Sequence, residues 1–170
     1  MPVVVRLVAD RVGLTGLMLV RTVRIVAQHM FTLGGRARRM IPRLELRRLA
    51  FARLKDARAL YAAGRYDAAL YLCGYAVELA LKARICRTLR WDGYPESRTE
   101  FANFGSFKIH DLQVLLELSG IEQPIRAGHG AHWGVVAKWH PALRYAQVGT
   151  VGQIEAKRLI TSARHLVRVL

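Results

Sequence analysis

The sequence predicts an all-α domain, an antiparallel bundle of four to five helices with long loops at its ends. Three observations carry this reading. Apolar residues recur at three- and four-residue steps through residues 44–62, 67–89 and 151–170. Gly64, able to end a helix in the left-handed conformation, is followed by Asp67, able to accept the free N–H groups that start the next, so the first two helices meet at a short joint. The 170 residues are 52% hydrophobic, enough for one packed core.

Residues 1–43 stand apart from the bundle at 44–170. They hold eight arginines against the single acid Asp10, a net of +7, whereas residues 44–170 hold nineteen basic and eleven acidic residues, a net of +8. The apolar run from Val12 to Val20 is closed by Arg21 and Arg24, short of the ~20 residues a membrane span needs, so no stable membrane insertion is expected. Nothing after it suits a secretory cleavage site. This basic, apolar extension reads as a helix that lengthens the bundle, as an amphipathic arm for a membrane or RNA surface, or as a translated stretch ahead of an alternative start at Met40. The last reading is favoured. A chain beginning at Met40 is then expected to keep its circular dichroism and melting temperature, and a fall of many degrees would show that the front segment packs into the core.

The first helix follows from Leu46, Leu49, Ala50, Leu54, Ala57, Leu60 and Tyr61 on one side, with Arg47, Arg48, Arg53, Lys55, Asp56 and Arg58 in water. The second, from Asp67 to about Leu89, is apolar over most of its circumference and is the core helix. What remains on it is a narrow stripe of Tyr71, Gly74, Tyr75, Glu78 and Lys82. Residues 91–107 form a long loop rich in Gly, Pro, Ser and Asn. Asp111 is placed to cap a third helix that ends at Ser119-Gly120. Ile121–Ala131, with Pro124, Gly128 and Gly130, reads as irregular. A Trp133–Tyr145 segment follows, and the last helix, from about Val151, turns Ile154, Leu159, Ile160, Ala163, Leu166, Val167 and Leu170 to the core.

The net charge of +15 favours an anionic partner such as RNA, a nucleotide or an acidic protein. Only five of the 27 basic residues are lysine, an arginine bias that coding composition explains equally well. Cys73 and Cys86 lie thirteen residues apart in one helix, about 20 Å at 1.5 Å per residue, and cannot bridge each other. They read as buried thiols of a reducing cytoplasm. No metal or other cofactor is expected, because neither thiol has close Cys or His companions and no carboxylate lies near His129, His132 and His140 to orient them.

Candidate binding residues fall into two groups. Tyr71, Tyr75, Glu78 and Lys82 share the stripe, where Glu78 and Lys82 at i and i+4 read as an ion pair in a sequestered seam or as part of a ligand groove. Trp139, Arg144 and Tyr145 interleave aromatic and basic character, which suits base stacking but suits equally a loop pinned to the bundle by its rings. His110, just ahead of the Asp111 cap, completes the set.

The run AGRYDAALYLCGYAVELALKARI closely resembles the second-helix signature of bacterial HEPN-domain proteins, and Phe107–Leu112, Leu115–Gly120 and Trp139–Tyr145 fit the same pattern in order over roughly Leu44–Leu170. The resemblance implies an all-helical, dimeric domain, in relatives a nucleotide-binding module or a toxin ribonuclease, found in toxin–antitoxin or defence loci beside a small nucleotidyltransferase. Ribonucleolytic members carry an arginine followed four to six residues later by a histidine at a dimer interface. Arg126 and His132 meet that spacing as catalytic candidates, but in a Gly-rich stretch rather than on a helix. By position Arg144 is the better match to the family arginine, and no histidine follows it until His165. The expectation is therefore a binding or interaction module for RNA or nucleotide, with a metal-independent endoribonuclease and a purely structural dimerisation domain as alternatives.

Overall fold

The computed structural model describes residues 40–95 and 109–170; the basic segment ahead of Met40 and most of the loop expected at 91–107 lie outside the described residues. Five α-helices and a two-stranded ribbon make up the described part. Helix α1 (Arg43–Ala62) buries Leu46, Ala50, Leu54 and Ala57, the three- and four-residue steps of its apolar stripe. Leu49, Leu60 and Tyr61, at the margins of that stripe, are half-buried. Gly64, at φ +70°, turns the chain, and the Arg65 N–H closes the joint on the Leu60 carbonyl at 2.8 Å.

Helix α2 (Tyr66–Leu89) is the centre of the bundle, with Cys73, Val77, Leu81 and Ile85 among its fully buried residues. It packs most extensively against α1, and next against the last helix of the chain. Its start differs from the expectation. The N-cap is Arg65, with no side-chain cap, and Asp67 lies one residue inside the helix. The Asp67 carboxylate instead accepts the N–H groups of Gly149 (2.8 Å) and Val151 (2.9 Å) and the Thr150 hydroxyl (3.2 Å). Those backbone donors hold its pKa below the usual carboxylate value. The same acceptor chemistry thus secures a remote loop to the start of the core helix.

Strands β1 (Met40–Pro42) and β2 (Gly93–Pro95) pair antiparallel, with Ile41 opposite Tyr94. Three residues each are too few to show alternation, and no strand was expected here; β1 also lies ahead of the expected boundary at Leu44. Gly93 suits the ribbon because a Cβ there would stand 2.6 Å from the Ile41 carbonyl oxygen. The first N–H of α1, on Arg43, donates to the Asp92 carbonyl at 3.0 Å, so the ribbon also tethers that helix end.

Helix α3 (Leu112–Leu118) begins as expected, with the Asp111 carboxylate accepting the N–H groups of Gln113 at 2.8 Å and Val114 at 3.2 Å. The stretch read as irregular is a helix, α4 (Glu122–Val136), with one non-helical residue, His129, at its kink. Pro124 falls in the first turn, where no intrahelical N–H is required. Gly128, Gly130 and Gly134 cost about 1 kcal/mol each relative to alanine. Burial of Ile125, Trp133 and Val136 outweighs that cost, at about 1.5–3 kcal/mol for a large apolar side chain, and the glycines survive as a kink rather than a break.

A 3-10 turn (Pro141–Tyr145) leads to α5 (Gln153–Val169), whose core side is Ala156, Leu159, Ala163, Leu166 and Val167. Leu170 is buried beyond its end, and Ile160 is half-buried. Ile154 departs from the expectation: it is 77% exposed, because it lies two residues, or about 200°, from Ala156 on the stripe. No helix among the described residues is long and apolar enough to cross a membrane.

Candidate functional site

The stripe on α2 is polar at one end and aromatic at the other. Glu78 is 1% exposed. One of its oxygens, Oε1, receives both Lys82 Nζ at 2.5 Å, one helical turn on, and His110 Nδ1 at 2.9 Å, from the segment leading into α3. A carboxylate only accepts hydrogen bonds, so the His110 contact requires the proton on Nδ1. The Lys82 side chain is 14% exposed, and its ammonium also lies 5.3 Å from the centroid of the buried Tyr94 ring. The Glu78–Lys82 pair is therefore largely shielded from water, with the more exposed His110 as its third member.

At the other end, Trp139 closes over α2. Its ring is 4% exposed, and its Nε1 donates to the Tyr71 carbonyl at 3.1 Å. It can approach so closely because residue 74 is glycine: a Cβ there would fall 2.1–2.3 Å from three atoms of the indole. Trp139 is thus buried against α2 and ties its own segment to that helix. Beyond it the surface opens. The Arg144 guanidinium lies 4.7 Å over the Tyr145 ring, and Tyr145 is 78% exposed. Hydrogen bonding to Tyr145 first and to Tyr71 second holds the Arg144 pKa above its ordinary value. Tyr75, between the two ends, has its phenol pushed up by burial and then by the Glu78 carboxylate. All eight binding candidates therefore form one ridge, running from Lys82, Glu78 and His110 through Tyr75 and Tyr71 to Trp139, Arg144 and Tyr145.

Arg126 and His132 are not on that ridge. Both belong to α4, not to a loop, and six residues of helix turn them about 120° apart. Arg126 Nε donates to Glu122 Oε1 at 2.8 Å. His132 faces α5, with Nδ1 3.2 Å from the Ser162 hydroxyl and its ring stacked on His165 at 4.1 Å between centroids. His165 Nε2 in turn meets His129 Nδ1 at 2.9 Å. The histidine cluster is thus His129, His132 and His165, and His140 stands away from it, exposed ahead of the 3-10 turn. His165 was not singled out from the sequence as a partner of the other two. The spacing of His129 and His132 marks a shared helix face, but nothing in sequence says that α5 lies against it.

Cys73 and Cys86 are free and buried, and burial pushes both thiols up to about 12, out of nucleophilic range. Among the described residues no group of three His, Cys, Asp or Glu side chains is arranged to hold a metal ion. Residues 44–96, covering α1, α2 and β2, match the family model of the HEPN domain. No curated protein and no solved structure matches the chain.

Proposed function

We propose that this chain, a HEPN-domain protein, is a binding module that holds RNA or nucleotide through charge and aromatic stacking, and that it does not cleave RNA. The observation that carries the reading is the open end of the α2 ridge, where Arg144 and the exposed Tyr145 present a cation and a ring side by side. The net charge of +15 supplies long-range attraction to phosphate. Family resemblance supports a cytoplasmic homodimer in a toxin–antitoxin or defence locus, with a small nucleotidyltransferase as partner protein.

The endoribonuclease alternative gains one point, since Arg126 and His132 do share a helix. It loses more. Cleavage needs an acid or base held against the 2′-oxygen or the leaving oxygen, and here the arginine is engaged with Glu122 and lies about 120° around the helix from the histidine, so the two do not converge on one phosphate. The test is labelled RNA incubated with the intact chain and with His132→Ala in the presence of EDTA. Retention that falls steeply with salt, with a salt slope reduced by about one in Arg144→Ala and no cleavage by either chain, is expected. Cleavage that disappears in His132→Ala makes the protein a ribonuclease.

A further inference from the structure

We propose that the recess between α4 and α5 lined by His132, Arg164, His165 and Arg168 is a binding site for a tetrahedral oxyanion, in the cell a phosphate group, and that it binds more tightly as pH falls. The recess encloses about 420 Å³ and is completed by Thr161 and Val169, so every charged or titratable group lining it is a cation or becomes one. Thr161, His165 and Arg168, with Arg164, recur at three- and four-residue steps on one face of α5. Like charges at that spacing destabilise a helix, and the neighbouring imidazoles add to the repulsion whenever they are protonated. Arg48, Arg53 and Arg126 each meet a carboxylate on their own helix. Arg164 and Arg168 meet none among the described residues. A bound oxyanion provides the missing negative charge, and the two arginines offer the donors that phosphate recognition uses, the Thr161 hydroxyl being given to the Lys157 carbonyl at 3.0 Å.

The histidines make the site sensitive to protons. His165 Nε2 and His129 Nδ1, 2.9 Å apart, can share only one proton between them. His132 spends Nδ1 on Ser162 and keeps Nε2 without a partner among the described residues. The groups that bear on His165 are His129 and His132 from α4 and Arg168 from its own helix; the opposite face of α5, toward α1 and α2, is apolar through Leu159, Ala163 and Leu166. Burial first, and then the neighbouring His132, His129 and Arg168, hold its pKa below the ordinary histidine value, with no carboxylate opposing them. An anion in the recess reverses that field, so binding raises the histidine pKa and protonation strengthens binding. A metal ion fits poorly here, because both arginines would repel it and the shared proton already occupies the nitrogens facing each other.

The experiment follows the ring signals of the histidines by NMR on the full chain as sulfate is added, against chloride at equal ionic strength. Sulfate is a dianion across the whole range, so its own titration does not intrude. The His165 midpoint is expected to rise by about one unit, equivalent to about tenfold tighter binding of sulfate to the protonated form. The rise should vanish in the Arg164→Gln/Arg168→Gln double variant, whose exposed positions leave the fold intact by circular dichroism. His165→Asn should still bind sulfate but lose most of the pH dependence. Displacement of sulfate by adenosine monophosphate identifies a terminal phosphate as the natural group, and displacement by a dinucleoside monophosphate identifies the phosphodiester of a nucleic acid strand. A midpoint unmoved by sulfate, or moved equally in the double variant, overturns the proposal.

Discussion

Replacing Glu78 by alanine is expected to destabilise the protein by about 3–5 kcal/mol, the cost of stranding one member of a buried ion pair. The carboxylate is almost wholly enclosed and Lys82 is only slightly exposed, so the ammonium left behind has little water to turn to. For a domain of this size the melting temperature should fall by roughly 2–4 °C per kcal/mol. Glu78→Ala combined with Lys82→Ala should recover part of the loss, since no buried charge is then left unpaired, and the double-mutant cycle should give a coupling of about 0.5–3 kcal/mol. Denaturant titration of the four proteins checks this. Additive losses of a few tenths of a kcal/mol would mean that both side chains behave as exposed ones.

Gly74→Ala should be nearly as damaging, against the ordinary rule that alanine stabilises a helix by about 1 kcal/mol over glycine. The added methyl would meet three atoms of the Trp139 indole at less than 2.4 Å, while the Trp139 Nε1–Tyr71 hydrogen bond holds the ring in place. Forcing a methyl into packed space costs about 1–3 kcal/mol, and expelling the ring forfeits about 3–5 kcal/mol of aromatic burial. Net destabilisation is expected by either route. A red shift of tryptophan emission marks expulsion, and Trp139→Leu in the Gly74→Ala background should restore part of the stability. A rise in melting temperature for Gly74→Ala would show that the indole moves aside without cost. Loss of the Trp139 contact should also weaken RNA retention, because Arg144 and Tyr145 follow it in the same pinned segment.

The helices that the sequence announces are those whose burial follows a simple period. Leu46, Ala50, Leu54 and Ala57 in α1, and Leu159, Ala163 and Leu166 in α5, are spaced as one helix face and are buried as one. Turn chemistry was equally readable where it acts locally, as with Gly64 at the first joint and Asp111 at the start of α3. It misled where the partner is remote. Asp67 reads as a cap from the sequence, yet it lies in the first turn of α2 and its acceptor oxygens serve a loop more than eighty residues on. Pro124, Gly128 and Gly130 weaken a helix in isolation, and tertiary burial of Ile125, Trp133 and Val136 overrode that local preference.

For the site, sequence spacing alone grouped Tyr71, Gly74, Tyr75, Glu78 and Lys82, because neighbours on one helix face are fixed by the 3.6-residue turn. It could pair Glu78 with Lys82, but whether water reaches the pair depends on what covers the face, and only the packed bundle supplies His110 and Tyr94. Likewise Gly74 has no reason in its own helix, and finds one in an indole sixty-five residues away. The sequence by itself determined the helical class, the core helix and the stripe of five residues on it, since periodicity and local hydrogen bonding act within a few residues. The tertiary structure decided which of those residues are sealed, which meet across helices, and that His165 joins His129 and His132, because burial and cross-helix contact arise only when segments distant in the chain pack together.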